Sequence, residues 1–560
     1  MEILSRLMTL QEQEGAVTDS ALREVAQEMG VPLYLLEGLR GFYPSFSATP
    51  RPAFHIQVCR DAACALQGGN GQRERLCQAL RGRSDVRVEE VSCLGRCDSA
   101  PAALVNHVPV STAGDAVLTL THAPRGPHPP KAAPAGHPAH PESWPTDPYS
   151  GGARAPFSLL RDLIAAPDSE KSRAKVLQEL NASGLRGMGG AGFPTGSKWD
   201  FTRKAAGDPK YVICNADESE PGTFKDRAIL AGLSHLVVEA MAIAGWFIGA
   251  RQGIVYLRHE YGPEREALDA ALTAARAAGA LGAKVFGSAF SFDIRVFISP
   301  GGYIMGEETA LLEALEDRRG EPRLKPPFPT TQGLRGRPTL INNVETFAAV
   351  PRILAEGGDA WAALGRSGGK GLKYFSVSGD VTRPGVHCLP LGSPLSELLE
   401  RCGGVSGGRK LLAFAPGGAS SNFLSAAQVE VPLEFAALTA AGSMLGSGAV
   451  LVVAEGRDLL EVALSQVRFF RNESCGKCVP CRVGTHKAVA LLEQALSGAS
   501  TPEWPARLPE RIRELGQTLA RTSICGLGQV ALQPLISVLD HFPDQAARLE
   551  APAARQGGTA

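Results

Sequence analysis

The sequence carries no surplus of charge, because its 57 basic and 57 acidic residues cancel. A balanced chain has no bulk attraction to nucleic acid or to an anionic membrane, so we expect neither as a partner. No apolar run reaches the ~18 residues that a membrane-spanning helix needs. The longest run, at residues 236–248, contains Glu239 and predicts a buried helix. The first residues lack a basic segment followed by an apolar block, so we expect neither a secretion signal nor direct membrane insertion.

Cysteine is scarce as well, with 12 residues in a chain of 560. That number is too small for a disulfide scaffold, and the grouping of eight of these cysteines in two sets suits metal chemistry in a reducing cytosol. The chain is too long for one hydrophobic core, and about 150 residues per domain predicts three or four domains. The composition therefore predicts a soluble, cytoplasmic, multidomain protein.

The most specific metal motif is a Cys-x-x-Cys-x-x-Cys segment formed by Cys475, Cys478 and Cys481. A fourth thiol, Cys525, lies about forty residues further on, beyond a predicted helical pair. Three close ligands and one remote ligand suit a cubane [4Fe–4S] cluster. Zinc is the main alternative, although four-cysteine zinc sites usually present two pairs. The spacing therefore favours the cluster.

A second set of cysteines follows two predicted strands near the N-terminus. Residues 1–48 carry helical signals, and then Phe54–Cys59 and Val86–Val91 each have the pattern of a strand. The thiols are Cys59 and Cys64 after the first strand, and Cys93 and Cys97 after the second. Two pairs at adjacent strand ends suit a [2Fe–2S] centre; zinc and structural thiol pairs are the alternatives.

The segment from Cys93 to Pro101, with the upstream cysteine pair and the helical N-terminus, resembles the thioredoxin-like [2Fe–2S] subunit of NADH dehydrogenases, which are respiratory complex I and its relatives. The resemblance covers about residues 5–110. Residues 122–150 that follow are dense in Pro, Ala, Gly and His. Such a composition prevents helix propagation and predicts an extended tether between two units.

A glycine-rich segment at residues 184–201 matches the literal pattern of a dinucleotide fingerprint. A helical pattern precedes it where a strand is required, and Pro194 follows it, so an ordinary Rossmann site is not indicated. Clustered glycines still let backbone amides approach an anion or a flat ring, and Lys198 adds a charge for phosphate. A flexible loop is the alternative.

Three further segments place polar groups where a ligand is bound in many α/β proteins. A strand at residues 211–214 leads into Asn215, Asp217 and Glu218, which suit ribityl or ribose hydroxyls, although a solvated acidic loop is equally consistent. Glycines and an aromatic ring precede an acidic pair at residues 301–308, for which ion pairing or helix capping is the alternative. A proline segment at residues 323–329 and two adjacent amides at 342–343 follow.

Taken in this order, the segments resemble the flavin-binding subunit of complex I-type NADH dehydrogenases over residues 157–545. The resemblance implies an FMN site formed by Gly187, Gly189, Gly190, Lys198, Asn215, Asp217, Glu218, Tyr303, Gly306, Glu307, Glu308, Asn342, Asn343 and Thr346. It implies an NAD site formed by Phe193, Phe201, Glu220, Glu308, Lys325 and Phe328. The sequence departs from the family pattern at Met188, usually Arg or Lys, and at Met305, often Cys.

The expected fold class is multidomain α/β. We expect an N-terminal helical bundle (1–50), a thioredoxin-like [2Fe–2S] domain (51–121), the tether (122–150), a Rossmann-like FMN- and NADH-binding domain (151–350), a ubiquitin-like β-grasp domain (351–455), a helical [4Fe–4S] domain (456–545) and a disordered tail (546–560). The β-grasp assignment and the bundle around the cluster are implied by the resemblance.

The expected function is electron input from NADH. A nicotinamide releases two electrons as hydride and a cluster accepts one, so FMN completes the relay and no catalytic acid or base is required of the protein. The sequence contains no quinone site, so other iron–sulfur subunits of a larger complex are the expected partners. The expected function is that of the NADH-quinone oxidoreductase of complex I. A cytosolic NAD-dependent formate dehydrogenase and the diaphorase part of an NAD-coupled hydrogenase are alternatives, and a structural zinc scaffold is an alternative of another class. We expect a cytoplasmic location, peripheral to the membrane where the complex is membrane-bound.

Overall fold

A computed structural model describes residues 2–122, 143–497 and 507–549. Residues 123–142, which make up most of the expected tether, lie outside the described residues, as do 550–560 of the expected tail. Below, helices and strands are numbered in chain order.

Three helices open the chain: α1 (Ile3–Glu14), α2 (Asp19–Met29) and α3 (Leu33–Phe42). The hydroxyl of Thr18 accepts a hydrogen bond from the amide of Ala21 at 3.2 Å and caps α2, and Gly30 ends that helix in a left-handed conformation. The helical signals predicted at residues 1–48 are therefore present. The apolar faces of these helices pack into the main hydrophobic core of the molecule.

The second unit is a four-stranded sheet with strand order β2-β1-β3-β4. Its elements are β1 (Phe54–Cys59), α4 (Ala62–Cys64), α5 (Gln72–Ala79), β2 (Val86–Val91), β3 (Ala102–Val105), β4 (Val108–Ser111) and α6 (Ala116–His122). The two predicted strands have the predicted bounds and pair in parallel, while β3 runs antiparallel to β1. Parallel pairing brings the ends of β1 and β2, with the cysteines that follow them, to the same edge.

The third unit contains a fully parallel sheet with strand order β7-β6-β5-β8. Its helices are α7 (Ser158–Ala165), α8 (Ser169–Ser183), α9 (Thr195–Lys204), α10 (Lys225–Ile248), α11 (Gly262–Ala277), α12 (Glu308–Leu315), α13 (Pro329–Gln332), α14 (Val344–Glu356) and α15 (Gly358–Ala362). Its strands are β5 (Tyr211–Ala216), β6 (Gln252–Leu257), β7 (Asp293–Ile298) and β8 (Thr339–Asn343). A parallel sheet of this kind binds ligands at the carboxyl ends of its strands.

Helix α10 forms the centre of this unit. Within the described ranges it is the one helix long and apolar enough to cross a membrane by length and composition, and 83% of its most apolar window is buried inside the fold. The run at residues 236–248 is thus part of a buried helix, as its sequence predicts. Glu239 accepts hydrogen bonds there from the Tyr149 hydroxyl at 2.6 Å and the Leu160 amide at 3.2 Å, which satisfies a buried carboxylate.

The fourth unit is a five-stranded mixed sheet with strand order β10-β9-β13-β11-β12. It comprises β9 (Leu372–Gly379), β10 (Gly385–Pro390), α16 (Leu395–Arg401), β11 (Leu411–Ala415), β12 (Leu424–Ser425), α17 (Phe435–Ala440) and β13 (Ala449–Ala454). The short strands predicted at residues 371–451 are present. A separate hydrophobic cluster fills one side of this sheet.

The last unit is helical: α18 (Leu459–Asn472), α19 (Val479–Leu496), α20 (Leu508–Thr522), α21 (Gly526–Val530), α22 (Gln533–His541) and α23 (Pro543–Ala546). Helical structure continues through a short 3₁₀ turn at Ala547–Leu549, and Leu549 is fully buried. The packed chain therefore extends a few residues into the segment expected to be a disordered tail.

The last residues of the expected tether, from 143 on, pack against the protein. The Trp144 ring lies 5.7 Å from the Tyr374 ring, and the Thr146 hydroxyl lies 2.6 Å from the Tyr374 hydroxyl. Tyr149 is buried against Glu239. Trp144 packs against another ring, and the Tyr149 hydroxyl donates to Glu239, so both anchor a stretch that composition alone predicts to be an extended tether.

Candidate functional site

A cleft lies at the carboxyl ends of β5 and β8. It consists of two adjoining cavities of about 350 and 600 Å³ that share Gly189, Asn215, Gly306 and Asn343 among their walls. Asn215 is the penultimate residue of β5 and Asn343 is the last residue of β8, which are neighbouring parallel strands. The parallel sheet thus brings segments that are far apart in sequence to one edge.

The glycine-rich segment forms one wall of the cleft, between α8 and α9. It does not follow a strand, which agrees with the absence of an ordinary Rossmann motif. A Cβ atom at Gly189 would lie 3.0 Å from the Asn343 Cβ, and one at Gly192 would lie 2.8 Å from the Phe435 ring. The amide of Met188 donates to the Thr346 hydroxyl at 2.9 Å. The segment is therefore packed closely on both sides and is not a free flexible loop.

The polar turn after β5 is buried. Asp217 and Glu218 are 7% and 5% exposed, so the alternative of a solvated acidic loop is wrong. Burial raises the pKa of Asp217 to about 6 and that of Glu218 to about 7. Ser299 donates to Asp217 at 2.8 Å, and the Asn215 amide group donates to the Gly306 carbonyl at 2.8 Å. The turn thus presents fixed oxygen atoms to the cleft.

Both members of the acidic pair contact Lys325, Glu307 at 2.8 Å and Glu308 at 2.9 Å, and each makes further contacts of its own. Glu307 caps α12, since its carboxylate accepts hydrogen bonds from the amides of Thr309 and Ala310 at 2.8 and 2.9 Å. Glu308 lies between Lys198 at 3.1 Å and Lys325 at 2.9 Å. Burial alone would raise the pKa of Glu308, but the two ammonium groups outweigh it and lower that pKa to about 2. Capping and ion pairing, the alternatives for this pair, are both present beside the cleft.

Three aromatic rings stand at the mouth of the larger cavity. Phe193, Phe201 and Phe328 are 47%, 53% and 54% exposed, which is unusual for phenylalanine. The centroids of the first two rings lie 6.3 Å apart. Exposed rings gathered at a concave opening provide flat surfaces on which another ring can stack.

The β9–β13 unit closes the other side of the cleft, which the sequence does not predict. The Ser420 amide donates to the Glu220 carboxylate at 2.9 Å, and burial raises the pKa of Glu220 to about 7. Gly446 and Ser447 line the smaller cavity. These residues lie in loops of small side chains, for which we find no local sequence signal of a binding role.

A buried network of charges lies beneath the smaller cavity. Lys225 contacts Asp226 at 2.7 Å and Glu345 at 2.9 Å, and Lys373 contacts Glu345 at 2.6 Å. All four are at most 3% exposed. The network joins the parallel-sheet unit to β9. In the sequence, only the adjacent charged residues Lys225 and Asp226, at the start of the most apolar helix, indicate this network.

The C-terminal cysteines lie at helix N-termini next to the cleft. Cys478 precedes α19 and Cys525 precedes α21, whose first residue, Gly526, lines both cavities. The Cys481 thiol lies 3.2 Å from the Ser474 hydroxyl. Cys475, Cys478 and Cys525 are partly exposed, whereas Cys481 is buried. An all-thiol set of three near residues and one remote residue fits an iron–sulfur cluster.

The N-terminal cysteines lie together at the edge of the first sheet. Cys59, Cys64, Cys93 and Cys97 are all buried, and the thiols of the last two are 3.4 Å apart. Among the described residues, no group of three or more His, Cys, Asp or Glu side chains has the arrangement needed to hold one metal ion. Four thiols and no imidazole or carboxylate form the donor set expected of a [2Fe–2S] centre.

The structure brings nearly every predicted site residue to this region. The residues that line one or both cavities are Gly187, Gly189, Gly190, Phe193, Lys198, Phe201, Asn215, Asp217, Glu218, Glu220, Tyr303, Gly306, Glu307, Glu308, Lys325, Phe328, Asn342 and Asn343. Thr346 does not line them and instead supports the glycine segment from behind. The departures Met188 and Met305 are buried and border neither cavity.

Four protein-family models match successive parts of the chain. They are the thioredoxin-like [2Fe-2S] ferredoxin at residues 1–118, the Nuo51 FMN-binding domain at 180–352, the SLBB domain at 374–421 and the NADH-ubiquinone oxidoreductase-F iron-sulfur binding region at 461–549. The matched regions coincide with the units that hold the N-terminal cysteines, the cleft, the mixed sheet and the C-terminal cysteines.

Curated relatives and solved structures agree with these matches. The chain is 43% identical over 369 residues to the F 2 subunit of the NADH-quinone oxidoreductase of Rhizobium meliloti, an alignment that covers 66% of this chain and 87% of that protein. It is 34% identical over 564 residues to the alpha subunit of the NAD-reducing hydrogenase HoxS of Cupriavidus necator, covering 97% and 91%. A crystal structure of NAD⁺-reducing [NiFe]-hydrogenase in the air-oxidized state aligns with a TM-score of 0.85 at 32% identity, covering 97% and 93%.

These relatives are subunits of redox enzymes that act on NAD(H), and the similarity to the hydrogenase protein spans both cysteine sets and the cleft. The chain therefore belongs to the family of FMN- and iron–sulfur-dependent NADH dehydrogenase subunits, and it moves electrons between NADH and [4Fe–4S] and [2Fe–2S] clusters by way of FMN.

Proposed function

We propose that this chain is the NAD(H)-side component of an NAD-coupled hydrogenase-type complex. The observation that supports this proposal is the union of a [2Fe–2S] unit and an FMN unit in one chain. The alignment with the HoxS hydrogenase protein covers 97% of this chain, whereas that with the quinone oxidoreductase protein of Rhizobium meliloti covers 66%. An NAD-dependent formate dehydrogenase and complex I are the alternatives, and the proposal rests on the shared whole-chain arrangement.

FMN accepts hydride as an electron pair and releases electrons one at a time, which is the chemistry the bound group supplies. The chain's own residues hold and orient it. We propose that the glycine segment places backbone amides against the flavin, with oxygen and nitrogen atoms from the strand ends around it. The proposed set is Gly187, Gly189, Gly190, Lys198, Asn215, Asp217, Glu218, Tyr303, Gly306, Glu307, Glu308, Asn342 and Asn343; Thr346 acts by supporting Met188.

We propose that NAD(H) enters through the larger cavity. The exposed rings of Phe193, Phe201 and Phe328 suit the adenine, and Lys325, held by Glu308, suits the anionic part of the dinucleotide. Glu220, on the side of the mixed sheet, would then face the nicotinamide end. These residues position the reactants, and none is required to move a proton.

The proposed ligands are Cys475, Cys478, Cys481 and Cys525 for [4Fe–4S], and Cys59, Cys64, Cys93 and Cys97 for [2Fe–2S]. The proposed domains are a helical bundle at 1–50, a thioredoxin-like domain at 51–121, a Rossmann-like domain at 151–350, a ubiquitin-like β-grasp domain at 351–455 and a helical cluster domain at 456–545. We place the protein in the cytoplasm, in a complex with other iron–sulfur subunits.

An anaerobic NADH titration of the purified chain, followed by absorbance and EPR, tests the cofactor assignments. We expect flavin bleaching together with signals from both reduced clusters. A colourless protein that contains two zinc ions per chain would contradict the redox account, because zinc–thiolate sites do not absorb visible light.

The partner is tested separately by anaerobic purification of the native complex and mass spectrometry of its subunits. A nickel-containing hydrogenase protein in stoichiometric amount, with hydrogen-dependent NAD⁺ reduction, is the expected result. A molybdenum- or tungsten-containing formate-oxidising protein, or a membrane quinone reductase, would replace the proposed assembly by one of the alternatives and leave the NADH site unaffected.

A further inference from the structure

The loop that carries Cys93 and Cys97 is held by two buried arginines from the third unit, which contains the parallel sheet β5–β8 and is called the flavin unit below. Arg258, which follows β6 and is 3% exposed, donates to the Cys93 carbonyl and, through its other terminal nitrogen, to the Glu218 carbonyl. Glu260 orients the guanidinium group through contacts of 2.9 and 3.2 Å. One side chain therefore touches the backbone of a cysteine and the backbone of a residue that lines the cleft.

Arg227, at the start of α10, makes a second attachment and is fully buried. It donates to the Gly95 carbonyl at 2.8 Å and to the Asp98 carboxylate at 2.6 Å. Its own amide donates to the Glu218 carboxylate at 3.0 Å. Both arginines thus connect the cysteine loop to Glu218. Such charge-assisted hydrogen bonds to backbone carbonyls fix a loop in one conformation.

The turn that these arginines hold directs an amide toward a thiol. The amide of Gly95 lies 3.4 Å from the Cys93 thiol and donates to it. Gly95 has a φ angle of +68°, and a Cβ atom there would lie 2.9 Å from the Tyr261 hydroxyl and 3.0 Å from a terminal nitrogen of Arg258. Only glycine fits this turn while the arginine remains in place.

We propose that Arg258 and Arg227 are positioning residues that set the reduction potential of the [2Fe–2S] centre, by holding the turn at residues 93–95 so that the Gly95 amide donates to the Cys93 sulfur. The proposal rests on the cysteine ligands assigned above. One-electron reduction of this centre, with the electron supplied by NADH through FMN, would add one negative charge there. A hydrogen bond to a ligand sulfur and a nearby buried cation both favour the reduced form and raise the potential.

The experiment is an anaerobic redox titration of the intact cofactor-loaded chain, with each cluster followed by its own EPR signal. The variants are R258K, R227K and the charge-balanced double variant R258M/E260Q. We expect each to lower the ratio of reduced to oxidised [2Fe–2S] at a given potential about tenfold, which is a shift of about 59 mV for a one-electron couple. The [4Fe–4S] potential in the same sample should not change.

R265Q is the matched control, because Arg265 lies on α11 next to this region and pairs with Asp269, with half of its side chain exposed. It should leave both potentials unchanged. Unchanged [2Fe–2S] potentials in R258K, R227K and the double variant would overturn the proposal. Loss of the [2Fe–2S] signal in all three, with the wild type retaining it, would also overturn it and assign the arginines to cluster assembly. Absence of that signal from the wild type would instead refute the cysteine assignment on which the proposal rests.

Discussion

The two cysteine sets lie in contrasting surroundings. Cys59, Cys64, Cys93 and Cys97 are each at most 4% exposed, at an edge between the first sheet and the flavin unit. Cys475, Cys478 and Cys525 are partly exposed, and Val479 and Val483 nearby are 58% and 55% exposed. Exposure controls both the potential of a cluster and its access to another protein. For the proposed ligand sets, the comparison predicts an enclosed N-terminal centre and a C-terminal centre that another protein can approach.

The largest expected effect comes from removing one ligand from each set. C478A should abolish the [4Fe–4S] signal and electron transfer to the partner complex while FMN stays bound, because the exit is lost. C97A should abolish the [2Fe–2S] signal and leave NADH-dependent transfer through the other cluster. Reduction of the partner with NADH, together with flavin content, measures both. Normal partner reduction in C478A would refute the assignment of that set as the exit.

Substitution of the residue that follows one cysteine in each set sharpens the contrast in burial. Leu94, next to Cys93, is 2% exposed, so L94A should lower the free energy of unfolding by ~2–5 kcal/mol through loss of packing. Val479, next to Cys478, is exposed, so V479A should change it by no more than ~0.5 kcal/mol. Urea unfolding followed by circular dichroism measures both variants. Equal losses of unfolding free energy in L94A and V479A would contradict the difference in burial between the two cysteine sets.

A matched pair of glycines offers a finer comparison. Gly95 and Gly476 both have positive φ angles, of 68° and 78°, but the nearest atom to a Cβ at Gly476 is 3.7 Å away, on the flexible side chain of Arg482. G476A should cost only the ~1–2 kcal/mol of a left-handed alanine. G95A should cost more, because its methyl group also meets Tyr261 and Arg258. Urea unfolding ranks the two, and a smaller cost for G95A would contradict the packing of the buried loop.

The smallest expected effect is the pH dependence of NADH oxidation that Glu220 causes in the cleft. Burial raises the pKa of Glu220 to about 7, so its carboxyl group is mainly neutral below that pH and mainly ionised above it. Ionisation adds negative charge to the cleft in which we propose that the anionic dinucleotide binds, and kcat/KM for NADH should therefore fall as pH rises through 7. In E220Q, kcat/KM should fall less steeply with pH. The remaining fall is due to ionisation of Glu218, whose pKa is also about 7. Identical pH profiles would remove Glu220 from this role.

Local patterns suffice to predict the strands and cysteine sets. Alternation of apolar residues and the turn residues around them indicate β1 and β2 with the bounds found in the structure. The cleft residues are recognised by their order along the chain and by resemblance, and the parallel sheet brings them together. Thr346 lies behind the glycine segment instead of on the cavity wall, and sequence cannot distinguish a hydroxyl that accepts the Met188 amide from one that contacts a ligand.

Contacts between different units of the fold leave no comparable pattern in the sequence. Ser420 contacts Glu220 across 200 positions in sequence, and Lys373 on β9 contacts Glu345 on α14. Arg258 and Arg227 hold the cysteine loop from more than a hundred residues away. Arginines on the protein surface also commonly follow a strand or begin a helix, so the sequence does not mark these two as buried. Only the assembled fold shows that these groups are buried and what they contact.

The contrast between the two sets is tested most directly by EPR power saturation of both reduced clusters, with and without a soluble dysprosium complex. The dysprosium complex accelerates the electron-spin relaxation of a cluster, and the effect is larger the closer the complex can approach. The account predicts marked relaxation of the [4Fe–4S] signal and little change in the [2Fe–2S] signal of the isolated chain. Equal relaxation of both, or stronger relaxation of the [2Fe–2S] signal, would contradict it.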